Sequence, residues 1–334
     1  MKYTIATLAS HSCLQILKGA KDEGFDTLAI STKDRVQFYQ RFDFIDKIIQ
    51  VTDYKDIYRL IPTLKKQNVI IIPHGSFVAY LGDDYDKKLK LPHYGNKKVL
   101  EWEGDRIKQN KWLNEAGVLI PRLIEKPSQI KQLVIVKLFG AKGGSGYFLA
   151  QSEDEFSLKI KKFKKEKYII QEYMVGTPVY LQYFYSSISQ KLELMGVDRR
   201  YETNIDGLSR IPSKFEKNMN FEPTFTVIGN FPLVIRESLL PEVYSMGERV
   251  INASKKLIPS KGLYGPFCLE TIITKNLKFY CIEISCRIVA GTNLFINGSS
   301  YSDLTFGVPM STGRRIAREI NEAIKLNRLP VIIN

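Results

Sequence analysis

Apolar residues recur along the first hundred positions in two alternating rhythms. Short continuous runs at Tyr3 to Leu8, Thr27 to Ile30, Lys47 to Val51 and Val69 to Ile72 have the length and β-branched content of buried strands. Between them, Ser12 to Lys21 carries Leu14, Leu17 and Lys18 along a helix closed by Gly24, and Tyr54 to Lys66 predicts another helix. Buried runs that alternate with helices predict an α/β domain whose parallel sheet is covered on both faces. Ligands bind such sheets at the carboxyl ends of their strands. Two of the three histidines fall there, His11 in Ala9-Ser10-His11-Ser12 after the first strand and His74 in Pro73-His74-Gly75-Ser76 after the fourth. A loop histidine can be merely exposed, but each of these adjoins serines and a helix start able to hold phosphate. Together they mark a ligand site.

The pattern changes at Asp105, which caps a helix through Ala116 ended by Gly117 and followed by Ile120-Pro121. A strand from Leu133 to Leu138 carries Lys137 near its end and leads through Phe139-Gly140-Ala141-Lys142-Gly143-Gly144-Ser145-Gly146 to a second strand, Tyr147 to Ala150. This is not a Walker A loop, because no Gly-Lys-Ser/Thr opens a helix. It predicts a strand–loop–strand lid whose glycines bring backbone N–H groups to phosphate oxygens while Lys137 and Lys142 supply charge. An ordinary flexible hairpin has the same composition, so its meaning depends on its partners. Ile169 to Gly176 predicts a buried strand ending in a polar edge, able to offer backbone groups to an adenine beside Tyr173 or Met174. Val179 to Ser186 and Leu192 to Val197 continue a second, antiparallel sheet. A long loop is expected from Thr203 to Asn230, then a helix from Pro241 to Leu257 and an amphipathic helix from about Ser311 to Leu326.

Two apolar strands near the end each carry one carboxylate, Phe267-Cys268-Leu269-Glu270 and Ile282-Glu283-Ile284-Ser285-Cys286-Arg287. Alternation puts Glu283, Ser285 and Arg287 on one face, with Ile282, Ile284 and Cys286 on the other. The turn at Thr274-Lys275-Asn276 allows a hairpin that sets Glu270 beside Glu283. Two carboxylates that close repel unless a cation lies between them, and hard divalent ions prefer oxygen ligands. The flanking residues are too apolar for an open, solvated face, which favours a magnesium site.

Composition narrows the class. With 334 residues, 44% hydrophobic and 25% charged, the chain resembles an ordinary enzyme of two or three subdomains. No apolar run approaches membrane-spanning length and Met1-Lys2-Tyr3-Thr4 runs straight into a strand, so a cytoplasmic protein without a membrane partner is expected. The four cysteines lack zinc spacing, and three lie inside apolar strands. The net charge of +14 comes from scattered basic residues, with one dense run from Lys159 to Lys167 that reads as the solvated face of a helix. Nucleic acid and anionic small-molecule substrates would both suit this charge, and composition alone does not choose; the Lys137, Glu270 and Glu283 set is what argues against nucleic acid.

In this order the motifs resemble the ATP-grasp superfamily. These are an N-terminal parallel-sheet domain, Asp105-Arg106 opening a helix that ends Glu115-Ala116-Gly117-Val118-Leu119-Ile120-Pro121, the Lys137 strand with its glycine lid, a hinge strand, and Glu270 followed by Glu283-Ile284-Ser285-Cys286-Arg287. The superfamily's last motif usually reads Glu-x-Asn-x-Arg, with the Asn helping to hold a second magnesium, and Ser285 stands in its place here. More narrowly, the chain resembles the archaeal PurP family of formate-dependent synthetases of formaminoimidazole-carboxamide ribonucleotide (FAICAR). That resemblance rests on Thr7-Leu8-Ala9-Ser10-His11, Pro73-His74-Gly75-Ser76-Phe77, Gly140 to Phe148, Arg200 to Gly207, Gly229-Asn230-Phe231-Pro232, Arg236 to Pro241 and Gly291-Thr292-Asn293.

The resemblance implies an ATP-grasp fold with a Rossmann-like N-terminal domain (1–104) and an ATP-grasp domain (105–334) containing a lid at about 122–175 and a C-terminal subdomain at about 176–334. It implies a carbon–nitrogen ligase of purine biosynthesis that uses ATP, formate and aminoimidazole-carboxamide ribonucleotide (AICAR), with Mg2+ or Mn2+. By family position His11, Ser76 and Asn230 would contact AICAR. Arg106, Lys137, Lys142, Gly143, Gly144, Ser145, Gly146, Gln171, Glu172, Tyr173, Met174 and Glu202 would hold ATP. Glu270 and Glu283 would bind the metal. Lys137 and Arg287 are the catalytic candidates, Arg287 either stabilising phosphate or formyl oxygen or serving as a structural partner of Glu283. A ligase of the same fold acting on another acid or amine, and a non-enzymatic binding protein, are the alternatives. A homo-oligomer is left open.

Overall fold

The N-terminal runs become strands because Ile, Val, Leu and Ala fill them without polar interruption. In the computed structural model, which describes residues 2–82, 84–139, 146–163, 166–216, 224 and 226–334, they form a four-stranded sheet. Its elements are β1 (Thr4–Leu8), α1 (Cys13–Asp22), β2 (Asp26–Thr32), α2 (Lys33–Tyr39), β3 (Lys47–Val51), α3 (Ile57–Lys66) and β4 (Val69–Ile71). The order is β3-β2-β1-β4 and every pairing is parallel, as the alternating rhythm predicts. Short helices α4 (Phe77–Leu81) and α5 (Tyr85–Lys88) follow, then α6 (Lys97–Gly104) and α7 (Arg106–Glu115). The Asp105 carboxylate accepts the backbone N–H groups of Ile107 and Lys108, so it caps α7 as expected, and Gly117 takes positive φ just past its end.

A small sheet of order β5-β8-β6-β7 forms the lid, from β5 (Leu123–Ile124), β6 (Val134–Leu138), β7 (Tyr147–Ala150) and, after α8 (Glu153–Ile160), β8 (Tyr168–Glu172). It has its own core of Ile124, Ile130, Val134, Val136, Ala150, Phe156 and Ile170. Residues 140–145 of the glycine loop, hence Lys142, Gly143, Gly144 and Ser145, lie outside the described residues. The strand expected over Ile169–Gly176 ends at Glu172, where its ladder with β6 runs out, and the chain then crosses to the large sheet. The basic run also departs from expectation. Its helix stops at Ile160, Lys161–Phe163 form one 3-10 turn, and Lys164 and Lys165 lie outside the described residues.

The large sheet is antiparallel, with order β11-β10-β9-β12-β13. Its strands are β9 (Thr177–Tyr185), β10 (Leu192–Glu202), β11 (Val227–Pro232), β12 (Gly265–Ile273) and β13 (Phe279–Ser285), with α9 (Ile205–Leu208) and α10 (Ser213–Glu216) between β10 and β11, and α11 (Leu240–Leu257) before β12. The long loop expected from Thr203 is therefore shorter. β10 runs on through Asp198-Arg199-Arg200-Tyr201-Glu202, whose polar alternation hides a strand, and β11 pairs back along it. Leu181, Val197, Leu269 and Ile284 line the apolar face of the sheet and are fully buried or nearly so. Helices α12 (Ser300–Phe306) and α13 (Thr312–Lys325) close the chain, and Ser311 caps α13.

The two ends of the chain interlock. Gly19 of α1 and Gly313 of α13 sit backbone to backbone, so a methyl group at either would fall inside the other helix. Gln15 donates to Thr292 O and accepts from Gly313 N, while Glu23 pairs with Arg314 (2.7 Å) and Arg318 (3.2 Å). His74 bridges to Ile288 and His93 exchanges backbone hydrogen bonds with Asn334. One hydrophobic core runs through both regions as a result.

Candidate active site

The second face of the large sheet is polar, and antiparallel register explains how. Tyr180 lies opposite Asp198 on one side and Glu270 on the other, and Glu270 lies opposite Glu283. Gln182 pairs with Cys268, Cys268 with Ser285, and Arg200 with Asn230. Since directly opposed residues share a face and alternate residues return to it, one surface carries Tyr180, Gln182, Asp198, Arg200, Glu202, Asn230, Glu270, Glu283 and Ser285. The hairpin predicted for Glu270 and Glu283 is present, with a bulge just after Glu270.

The carboxylates differ in their partners. Glu270 is held by Arg200 through two hydrogen bonds of 2.7 and 3.1 Å, and Ser285 Oγ lies 3.5 Å away. The Arg200 guanidinium rests 3.8 Å over the Tyr180 ring on its way across β9. Among the described residues Glu283 has Arg106 as its ion-pair partner, at a loose 3.9 Å, and burial followed by the neighbouring Glu270 charge pushes its carboxyl up. Lys137 at the end of β6 faces the same group. Burial lowers its ammonium, and Glu283 opposes that shift most strongly. Arg106 also reaches Leu138 O, so the Asp105–Arg106 helix start, the lid lysine and the carboxylate hairpin converge.

A magnesium ion bound with a nucleotide typically takes one or two carboxylates, keeps waters and borrows phosphate oxygens. Glu270 and Glu283 fit that pattern, since the pair repels and Glu283 is only loosely compensated. Among the described residues no group of three or more His, Cys, Asp or Glu is arranged to hold a metal. Arg287 corrects one expectation. β13 ends at Ser285, and the Arg287 guanidinium turns to Glu103 at 2.8 Å instead of partnering Glu283. Glu103 also accepts the Cys286 N–H, so α6 fixes the chain just past the hairpin.

The remaining nucleotide candidates lie around this surface. Gly146 leads into β7, its carbonyl accepting the Leu138 N–H at 2.8 Å. On β8, Gln171 is buried, while Glu172, Tyr173 and Met174 are half-buried at the crossing to the large sheet. Glu202 ends β10, and burial pushes its carboxyl up to about 7.

The two strand-end histidines meet. Their rings stack 5.3 Å apart at 5°. His74 is fully buried, with Nε2 3.0 Å from Leu8 O and Nδ1 accepting the Ser76 N–H, which fixes its neutral tautomer. His11 adopts positive φ (53°), with Nδ1 2.8 Å from Ser12 Oγ, and packs over Gly75, where a Cβ would come within 2.5 Å of its Nε2. Burial lowers His11 to about 2, and His74, Arg287 and Arg200 push the same way. Asn293 donates to His11 O, tying this loop to the 3-10 turn at Ala290–Phe295. That turn lies against Asp198, the buried carboxylate that accepts from Gln182 and Asn230. The sequence motifs give no role to Asp198, Arg200 or Glu103. Period-2 alternation of Asp198, Arg200 and Glu202 was the available signal for the first two. Nothing local marked Glu103.

The chain and its fold are similar to known proteins. The description "Protein of unknown function (DUF1246)" matches residues 5–124, and "Domain of unknown function (DUF1297)" matches residues 151–334. The 5-formaminoimidazole-4-carboxamide-1-(beta)-D-ribofuranosyl 5'-monophosphate synthetase of Pyrococcus horikoshii is 50% identical over 337 residues, covering 98% of this chain and 99% of that protein. The crystal structure of an IMP biosynthesis protein PurP from Thermococcus kodakaraensis superposes with a TM-score of 0.81 at 32% identity, covering 99% of this chain and 100% of that one. The N5-carboxyaminoimidazole synthetase from Staphylococcus aureus, complexed with ADP, shares the fold alone. Its TM-score is 0.63 at 16% identity, covering 89% of this chain and 74% of that one. With an ATP-grasp fold and near-complete alignment to these relatives, the chain belongs to the 5-formaminoimidazole-4-carboxamide ribonucleotide synthetase family.

Proposed function

We propose that this protein is an ADP-forming ligase that formylates AICAR to FAICAR with ATP and formate. The observation that carries the reading is the convergence of the lid lysine, Lys137, with Arg106, Glu270 and Glu283 on one sheet face, beside a separate histidine-lined region at the strand ends of the N-terminal sheet. The first region suits a nucleotide triphosphate and the second a ribonucleotide.

In this scheme a formate oxygen attacks the γ-phosphorus of ATP, the bond to the β-phosphate oxygen breaks, and ADP leaves. The amine of AICAR then attacks the formyl carbon of formyl phosphate, phosphate departs with the C–O electron pair, and the nitrogen loses a proton. No side chain needs to act as a covalent nucleophile. Lys137 and Arg106 offer positive charge to the phosphoryl oxygens, where charge develops during transfer. Glu270 and Glu283 would hold a divalent cation, which when bound screens the phosphate charge. His11, Ser76 and Asn230 would bind the ribonucleotide. His11 enters as a neutral ring, able to donate one hydrogen bond and accept another. A closed lid would keep water from the acyl phosphate.

The test is product analysis with purified protein. FAICAR and ADP should form in equal amounts when ATP, formate, AICAR and Mg2+ are all present, and omission of formate should stop both. Turnover with a different acid, and none with formate, would reassign the substrate while leaving the ligase class intact.

A further inference from the structure

Asp198 presents a chemical oddity. Its carboxylate is wholly buried at 0% exposure, yet it has no cation in direct contact among the described residues. Two side-chain amides compensate it instead. Gln182 Nε2 donates to Oδ1 at 2.5 Å, and Asn230 Nδ2 donates to Oδ2 at 2.7 Å. The 3-10 turn seals the other side, and a Cβ on Gly291 would stand 2.6 Å from both carboxylate oxygens. Arg200 and Glu270 lie on the same sheet face but are committed to each other. Burying a charge this way is costly, and a neutral isostere would avoid the cost.

What the charge supplies is direction. An amide can turn either its oxygen or its nitrogen toward a neighbour, and an Asn partner in place of Asp198 would accept both orientations. An ionised carboxylate accepts only, so it can face only the N–H side of Asn230. The carbonyl of that amide is then left for the cleft side of β11. Asn230 Oδ1 has no protein partner among the described residues, and Asn230 is half-buried where Asp198 is not exposed at all.

We propose that Asp198 is a positioning residue that locks the Asn230 amide with its oxygen toward the ligand, so that this position selects a hydrogen-bond donor on the ribonucleotide, either an exocyclic amine or a ribose hydroxyl. The inference rests on the ribonucleotide-ligase reading above and deepens it. Gln182 completes the lock by occupying the other carboxylate oxygen, and Gly291 is required because any side chain there would displace the carboxylate.

Two variants test it, Asp198→Asn and Gly291→Ala, the second leaving the charge in place while moving it. Both are first checked for folding by thermal melting, then assayed by steady-state kinetics and by calorimetry with AICAR and separately with ATP. Each should raise KM and Kd for AICAR by about tenfold, the scale of one hydrogen bond, while KM for ATP and kcat stay within about twofold. A ribonucleotide lacking the 5-amino group and one lacking the ribose 2′-hydroxyl then identify the donor. The analogue that lacks it should bind parent and variant equally, and either analogue doing so supports the proposal. An unchanged AICAR Kd in Asp198→Asn overturns it, as does an equal loss with both analogues, or a parallel loss for ATP and AICAR that would mark a merely structural group. Failure of the unaltered protein to bind AICAR overturns the underlying ligase reading instead, and this inference with it.

Discussion

Arg200 and Glu270 form a two-pronged ion pair that spans an intervening strand, the guanidinium passing over the Tyr180 ring to reach a carboxylate two strands away. Both side chains are largely withdrawn from solvent, with 21% and 9% of their surface exposed. The pair therefore sets the charge available at the hairpin. Glu270 enters any metal complex already neutralised by Arg200, while Glu283 enters with its charge poorly compensated. Arg200→Met should leave Glu270 buried without its partner, which costs about 3–5 kcal/mol for a buried pair. Mg2+ should restore part of the lost melting temperature, because it replaces the missing cation. A variant that melts like the parent would show that the ion pair does not hold Glu270 in place, and one indifferent to Mg2+ would show that the two carboxylates do not share a cation.

Glu283→Gln should abolish turnover while leaving AICAR affinity nearly unchanged, since it removes a ligand charge on the nucleotide side of the site. Glu270→Gln should be milder, because Arg200 already neutralises that carboxylate and the remaining amide oxygen still ligates a hard cation. Rates measured across a magnesium titration, paired with AICAR calorimetry, decide the matter. Normal turnover of Glu283→Gln at moderate magnesium would remove Glu283 from the metal site.

His11→Ala should weaken AICAR binding by about 1–3 kcal/mol with ATP affinity retained, the loss expected for a buried hydrogen bond. Gly75→Ala should have the same effect while leaving the imidazole in the sequence, because its methyl would sit 2.5 Å from His11 Nε2 and force the ring aside. Calorimetry showing parental AICAR affinity in both proteins would contradict the role given to His11.

The histidines also predict an acid limit to stability. His74 and His93 are both wholly or almost wholly buried, and burial holds each down to about 3 from an ordinary value of 6.5. Below pH 6.5 the unfolded chain binds protons that the folded one refuses. Stability is thus complete above 6.5 and is lost as pH falls toward 3, by roughly 1.4 kcal/mol per pH unit for each ring. Asp198, pushed up to about 6 by burial, acts with the opposite sign between about 4 and 6, so variant and parent must be compared directly. His93→Phe should flatten the slope by about one ring's share in urea unfolding at pH 5 to 7. An unaltered slope would mean that His93 titrates normally in the folded protein.

Much of this was legible in the sequence where one rule acted alone. The parallel strands, the Asp105 cap, the Glu270–Glu283 hairpin and the limits of α13 follow from apolar period, capping chemistry and turn residues. Legibility failed where tertiary pairing overrode local pattern. The strand expected over Leu192–Val197 runs on to Glu202, because Asp198, Arg200 and Glu202 face a cleft and pairing with β11 extends the ladder. Alternation carried past the last paired residue, Ser285, sets Arg287 beside Glu283, whereas its guanidinium pairs with Glu103. Glu103 lies far from the hairpin in sequence, and no periodicity links them.

The glycine-tight seam between α1 and α13 bears on how such chains can diversify. The two segments recognised by separate family descriptions, 5–124 and 151–334, suggest modules that recombination could exchange freely. Gly19, Gly313 and the Glu23–Arg314 pair work against such exchange, since a foreign partner with any larger residue at the seam could not seat its helix. A hybrid gene would have to inherit both helices from one parent. Innovation in this lineage is thereby steered toward the exposed loops and the lid, which has a core of its own and can be altered without disturbing that seam.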